Sequence, residues 1–212
     1  PTCLAFDWPR WRETLTREAG CSPSELDQIA DALREVTRAG IERCERDLSA
    51  LTSLAPALER IDQAELPPLE RIAQLLRAAR EHGTLPFAHL ARQGFVAVTL
   101  LRSAVATGSL APERQAAFFR SIETVSGELL RQAWQVRSGE LPFAELLDEF
   151  GHLRPGTYDV TSLAYWEDPE RYLRPLIERA TPPQEPAFSW EPSERAALTR
   201  ALSALGLPED LE

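Results

Sequence analysis

Residues 86–107 read PFAHLARQGFVAVTLLRSAVAT, and this stretch decides the fold. It is apolar almost all round at helical spacing, which is typical of a helix in the middle of a bundle. Gly108 ends this helix, and an amphipathic run from Pro112 to Ser138 predicts a second one. Gly127 inside that run costs about 1 kcal/mol relative to Ala, so we expect a backbone or a ligand to approach it closely. The sequence therefore predicts a long central helix pair.

The helical period extends to both sides of this pair. Between Pro23 and Gln63 apolar residues recur at mostly three- and four-residue spacing, and Ser22 is a good N-cap. Gly40 and Pro56 are expected to bend or break this long element. Further helices are predicted at residues 9–19, 69–81, 142–150, 169–179 and 193–205, the last with Ser193 as its N-cap. No strand alternation or repeat occurs, so we predict an all-α fold, an irregular multi-helix bundle with one ordered irregular loop.

Two segments are expected along the chain. Residues 1–180 form a helical domain, and residues 181–212 form a Pro-rich linker with a C-terminal helix that packs on it. The sequence contains no Met and no Lys. We expect the chain to begin inside a longer polypeptide.

Composition excludes several classes of partner. The net charge of −10 argues against a sequence-independent grip on nucleic acid or on an anionic membrane. No apolar run reaches the roughly 18 residues of a membrane span. The three cysteines form no CxxC pair, which favours a reducing compartment, so we predict a cytoplasmic protein. Acids such as Glu42, Glu45 and Asp47 indicate a solvated helix face.

Positive charge is concentrated on the central helices. Residues 82–138 carry six arginines and three acids. At 100° per residue the polar side chains of the first central helix form one stripe: His89, Arg92, Thr99, Ser103 and, further round, Arg102. A charge on a buried helix must be paired or must face a wet cavity. Arg92 and Arg102 are therefore expected either to pair with Glu123 or Glu128 or to bind a ligand.

The strongest local signal is FGHLRPGTYD at residues 150–159. Two glycines and a proline impose an unusual backbone path on a loop that also holds His152, Arg154, Tyr158 and Asp159. Histidine transfers protons near neutral pH, and arginine grips phosphate or carboxylate. The alternative is a self-satisfied loop in which Asp159 pairs with Arg154 and His152 caps a helix.

Other chemistry finds little support in the sequence. There is no GxGxxG, GxxxxGK[ST], GxSxG or HExxH, and the histidines and cysteines lack metal-ligand spacing. We predict no bound metal and no cofactor on this segment.

The loop also carries a resemblance. FGHLRPGTYDVTS at residues 150–162, with LLRSAVATGSL, FFRSIETVSGELL and GELPFAELLDEFGH before it, resembles the central helical region of phosphoenolpyruvate-synthase-like enzymes. The likeness is good over residues 85–173, weaker before them and little more than helical after residue 181. A more distant likeness is to the antibiotic-binding domain of rifampin phosphotransferases, whose pattern GHRGPGExD stands where this chain has GHLRPGTYD. The arginine is displaced by one position, and Thr157 replaces the glutamate.

The resemblance implies a part of a multidomain phosphotransferase. In that family an ATP-grasp domain uses ATP and Mg to charge a histidine on a swivelling domain, and that histidine delivers the phosphoryl group to a small-molecule acceptor near the helical domain. This chain has neither a Gly-rich phosphate loop nor the small-residue motif around the phosphorylated histidine. The ATP-grasp and phosphohistidine domains are therefore expected partners from the same parent chain, and His152 is not expected to be phosphorylated.

The resemblance also implies roles for individual residues. His152 would orient or deprotonate the acceptor, and Arg154 would neutralise phosphoryl charge with Arg92 and Arg102. The remaining substrate-binding candidates support the loop: Gly151, Gly156, Tyr158 and Asp159. The alternative function is a non-catalytic helical scaffold or protein-interaction domain.

Overall fold

The computed structural model describes residues 2–156, 159, 161–183 and 188–209. Over these residues every regular element is helical and none is a strand, which confirms the all-α prediction. The chain falls into two compact units, one formed by Pro1–Gln115 with Trp190–Glu212 and the other by Ala116–Ser189. The boundary expected near residue 181 is based on linker composition rather than on packing, so it stays a prediction.

The helices follow one another in chain order with short connections. They are α1 (Trp8–Ala19), α2 (Pro23–Thr52), α3 (Leu54–Gln63), α4 (Pro68–Ala78), a π-helical turn (Ala79–Thr84, the π-turn), α5 (Leu85–Ala106), α6 (Pro112–Ser121), α7 (Val125–Ser138), α8 (Phe143–Phe150), α9 (Pro169–Tyr172), α10 (Arg174–Arg179) and α11 (Pro192–Ala204).

Helix α2 begins and ends for local reasons. Ser22 and Glu25 form a capping box, in which the Glu25 carboxylate accepts from the Ser22 backbone N–H at 2.8 Å and Ser22 Oγ accepts from Glu25 N–H at 3.4 Å. The helix stops at Thr52 because Pro56 has no N–H to donate to the Thr52 carbonyl. Gly40, by contrast, lies in the unbroken interior of α2.

Helix α4 continues into α5 through the π-turn, so the predicted end of α4 at residues 82–83 is wrong. The Leu85 N–H donates to the Arg80 carbonyl, five residues back, as in a π-helix. Pro86 lacks the N–H that would bond the His82 carbonyl. The wider turn bypasses this missing hydrogen bond without ending the helical path.

The amino-terminal segment fills the space between α2 and α5. Cys3 and Leu4 are at most 1% exposed, and the Leu4 N–H donates to Thr37 Oγ1 of α2 at 3.3 Å. The Phe6 N–H donates to Ser103 Oγ of α5 at 3.1 Å. Ser103 is buried by this contact, so one side of α5 belongs to the core of the first unit.

The opposite side of α5 is open, which corrects the prediction of a helix buried all round. Phe87 is 66% exposed and Phe95 is 71% exposed. An apolar face on a helix shows only that burial is favourable, and the elements that pack on this helix leave that face uncovered.

Helix α11 packs within the first unit. Its N-cap is Glu191 rather than the predicted Ser193, because Pro192 takes the first helical position and Glu194 completes a capping box. The Arg114 guanidinium of α6 grips the Glu194 carboxylate with two hydrogen bonds of 2.6 and 2.8 Å. This pairing holds the Glu194 pKa below its ordinary value.

The second unit forms around α7, α8 and α10. Its buried core consists of Ala133, Leu146, Phe150, Leu173 and Ala180. The predicted run from 112 to 138 is two helices, because Thr124 caps α7 by accepting from the Gly127 N–H at 3.0 Å. A Cβ on Gly127 would lie 3.2 Å from Thr124 Oγ1, so this local cap accounts for the glycine without a ligand.

Candidate functional site

The loop at residues 151–168 (the GHLRPG loop) follows α8 and folds back on itself. The Trp166 N–H donates to the Gly151 carbonyl at 3.0 Å, and the Tyr165 N–H donates to the Leu153 carbonyl at 2.9 Å. Leu153 and Tyr165 also pack against the core of the second unit. These contacts fix the two ends of the loop side by side.

Both loop glycines stand where a side chain would not fit. A Cβ on Gly151 would clash with the Leu147 carbonyl and lie 3.1 Å from Trp166 Cβ. A Cβ on Gly156 would lie 2.8 Å from Ser162 Oγ. These two predicted substrate-binding residues therefore allow close packing within the loop.

Arg154 is engaged by the loop itself. Its guanidinium donates to the Ser162 carbonyl and pairs with the Glu167 carboxylate at 3.4 Å. Glu167 in turn accepts from the Ala164 N–H at 2.6 Å. Arg154 thus braces the chain across the loop, and it could bind a phosphoryl group only by giving up these partners.

The Asp159 carboxylate also finds its hydrogen-bond partners within the loop. They are not Arg154, which the alternative of a self-satisfied loop had predicted as its partner. The carboxylate accepts from Thr161 Oγ1 at 2.6 Å, from the Thr161 N–H at 2.9 Å and from Ser162 Oγ at 3.2 Å. The Thr161 hydroxyl contributes most to holding the Asp159 pKa below its ordinary value, and the Thr161 N–H adds to this. The predicted site residue Tyr158 lies outside the described residues.

His152 differs from its charged neighbours. Its side chain is exposed, and its ring centroid lies 6.5 Å from that of Trp166, which is 54% exposed. Among the described residues the imidazole has no hydrogen-bond partner and caps no helix. Both ring nitrogens are therefore available to accept or donate a proton.

The polar stripe of α5 divides between two environments. His89 and Ser103 face α2 and the amino-terminal segment, whereas Arg92 and Arg102 are exposed. Within the described part of the chain neither arginine has an ion pair, and Glu128 bonds Arg131 and Gln132 of its own helix instead. At 100° per residue the stripe spans the boundary between the buried and the exposed side of α5. It therefore contains both buried and exposed polar residues. Arg92 and Arg102 belong to the first unit, whereas the loop belongs to the second.

A second polar cluster, missed from the sequence, joins α2 to α5. Asp47 is only 7% exposed, so its prediction as part of a solvated face is wrong. Its carboxylate contacts His89 Nδ1 at 3.2 Å and accepts from Arg43 Nε at 3.1 Å. Burial alone raises the Asp47 pKa, but the bonds from His89 and Arg43 outweigh it and hold the pKa below its ordinary value. The sequence signal that could have revealed its burial is the helical spacing, which places Asp47 on the same face of α2 as Gly40 and Cys44.

In the part of the chain that the structure describes, no cluster of three or more His, Cys, Asp or Glu side chains is arranged to hold a metal ion. Within the same residues no helix combines the length and apolarity needed to cross a membrane. No protein-family model, no curated protein and no solved structure matches the chain.

Proposed function

We propose that this chain is the helical acceptor-binding domain of an ATP-dependent, phosphoenolpyruvate-synthase-like phosphotransferase. In this proposal the GHLRPG loop holds a small-molecule acceptor for transfer from a phosphohistidine on another domain. The observation that carries it is the exposed imidazole of His152, which lies beside Trp166 and has no hydrogen-bond partner among the described residues, on a loop whose other described charged groups are engaged. A positioned side chain that can transfer a proton is what acceptor activation requires.

The proposal gives the loop residues separate tasks. His152 orients the acceptor or takes a proton from it, and the exposed Trp166 ring offers an apolar wall for the acceptor. Arg154 is assigned to positioning, since its donors hold the Ser162 carbonyl and Glu167. Arg92 and Arg102 belong to the first unit, so they are left out of this loop site although both are exposed. Positioning and charge neutralisation are the main contributions of a protein to phosphoryl transfer.

ATP and Mg enter this proposal through other domains of the parent enzyme. The segment has no Gly-rich phosphate loop, and its described residues hold no metal-ligating cluster. The first test is therefore the coding sequence on both sides of the segment, which should encode an ATP-grasp domain and a phosphohistidine domain. If neither is encoded there, the proposal is wrong.

The second test uses the full-length enzyme with pyruvate as the probe acceptor. We expect His152→Gln to retain phosphorylation of the distant histidine from ATP but to slow transfer to the acceptor by about 100-fold, the usual contribution of a general base. Glu140→Gln, at an exposed residue just after α7, is the matched control and should leave transfer unchanged. Equal transfer rates in the His152 variant and the control, in an enzyme that phosphorylates the probe, would exclude the proposed role.

A specific observation also favours the alternative, a non-catalytic scaffold or protein-interaction domain. Arg154 and Asp159 each bond other groups of the loop, while Leu69 and Leu76 of α4 are 83% and 68% exposed. On this alternative His152 is structural, so His152→Ala should lower the melting temperature and leave transfer unaffected. The phosphotransferase proposal expects the opposite, because His152 forms no hydrogen bond with any described residue that the variant would lose.

A further inference from the structure

A cavity of about 240 Å³ lies beside the π-turn in the first unit. Its floor is apolar, formed by Ala57 and Ile61 of α3 and Ala78 of α4, which are 6–7% exposed. Single π-helical turns are rare and occur frequently at functional sites. The cavity shares no residue with the GHLRPG loop, which lies in the second unit.

The rim of the cavity is polar and mainly cationic. Arg60 of α3, Arg77 of α4 and His82 of the π-turn line it together with Gln74, and Glu81 is the one acid among the lining residues. The π-turn carries His82 in this lining while the chain continues as a helix into α5. Three elements therefore contribute cationic or potentially cationic groups to one small space.

The two arginines on this rim retain donors for a ligand. Arg60 Nε donates to the Pro56 carbonyl at 3.2 Å, which leaves its two terminal amino groups for other partners. Over the described residues neither Arg60 nor Arg77 has an ion pair, with Glu81 or with any other acid. Arg71, in the same part of the chain, pairs with Asp62 at 2.5 Å. Asp62 is thus engaged outside the cavity, and the two arginines outnumber Glu81, the one acid in the lining.

We propose that this cavity binds a small organic anion whose phosphate or carboxylate is held by Arg60 and Arg77. The guanidinium fork matches both oxyanions with paired hydrogen bonds. The carbon atoms of the ligand rest on Ala57, Ile61 and Ala78, and Gln74 and His82 supply further donors. The volume lies below the usual range for drug-sized ligands, so the ligand is a compound of a few carbon atoms.

Calorimetric titration of the intact chain with propyl phosphate, butyrate and inorganic phosphate tests this site. We expect saturable binding of propyl phosphate or butyrate, and the tighter of the two identifies the oxyanion. Inorganic phosphate should bind more weakly than propyl phosphate, because it has no carbon atoms for the apolar floor. The cross-peaks of the His82 imidazole, identified with His82→Gln, should move during the same titration followed by NMR.

Arg60→Gln and Arg77→Gln should each weaken binding by about tenfold, since each removes one charge-assisted hydrogen-bond pair. Arg46→Gln is the matched control, because Arg46 is an exposed arginine of α2 that does not line the cavity. Circular dichroism establishes that all three variants are folded. The cavity proposal is wrong if the wild type shows no saturable binding, or if the cavity variants and the control bind with equal affinity. Either result would leave the proposed function of the GHLRPG loop unaffected.

Discussion

The close approach of α2 and α5 gives a prediction that tests the packing of the first unit. Gly40 of α2 faces Gln93 of α5, and a Cβ at position 40 would lie 2.7 Å from Gln93 Cδ. Carbon atoms in contact are about 3.5–4.0 Å apart, so the Gln93 side chain must move by roughly 1 Å to admit even a methyl group. Gln93 Oε1 is buried and, among the described residues, has no hydrogen-bond partner.

The magnitudes follow from these contacts. Gly40→Ala gains about 1 kcal/mol of helix propensity, but overpacking a helix contact costs about 1–3 kcal/mol. We therefore expect the single variant to be about 1 kcal/mol less stable than the wild type. Gln93→Ala should be close to neutral, because the lost packing is offset by removal of an unsatisfied buried oxygen. With Gln93→Ala already present, Gly40→Ala should stabilise by about 1 kcal/mol, since only the propensity gain remains.

The assay is urea unfolding of the four proteins in this cycle, followed by far-ultraviolet circular dichroism. The expected coupling energy between the two substitutions is about 2 kcal/mol, well above the usual error of additivity. Unchanged m-values would show that the denatured states are comparable. If Gly40→Ala has the same effect with and without Gln93, the two helices do not touch at this point and the reasoning fails.

Three further predictions concern other parts of the chain. Ser22→Ala should cost about 1 kcal/mol in urea unfolding by removing the side-chain N-cap of α2. The Ser22 backbone N–H and then its hydroxyl lower the Glu25 pKa, so the stability that Glu25 adds is present above the ordinary carboxyl pKa and is lost as the pH falls through the lowered one; the variant keeps the backbone bond and should lose only part of this pH dependence. Leu173→Ala, at a position that is 0% exposed, should cost about 2–5 kcal/mol and should lower hydrogen-exchange protection within the second unit. Arg154→Met should speed exchange of the Trp166 amide by about tenfold or more, because it removes the brace of the loop, whereas unchanged exchange would show that the backbone pairing alone holds it.

Local signals in the sequence predicted several of the helix ends correctly. Ser22 caps α2 as expected, and Pro56 separates α2 from α3 because its missing N–H acts within one turn. Local reasoning failed after residue 81, where a helix was expected to end before Pro86 and the chain instead continues through the π-turn. A proline dictates which hydrogen bond is lost, but tertiary packing decides whether the helix ends or widens.

Burial of individual faces was harder to predict than the helices themselves. Phe95 was expected to be buried and is exposed, because a hydrophobic side chain is covered only where another element packs on it. Asp47 was expected to be exposed and is buried, because its partners satisfy the carboxylate. Asp47 meets His89, 42 positions away, and no local pattern reports such a pairing. In the candidate site the loop was predicted from the sequence. The hydrogen-bond partners of Arg154 and Asp159 were not, because they depend on how the loop folds.

An acidic chain can bind an anion only where its positive charge is local. With a net charge of −10 the chain as a whole repels anions, but salt screens exposed charges beyond about 10 Å at 0.1 M ionic strength. Within that distance an arginine without a carboxylate partner dominates the field that a small anion experiences. Over the described residues Arg60 and Arg77 at the cavity are such residues, whereas Arg154 is compensated by Glu167. The affinity of the cavity for a small anion should therefore be set by these two arginines and not by the net charge of the chain.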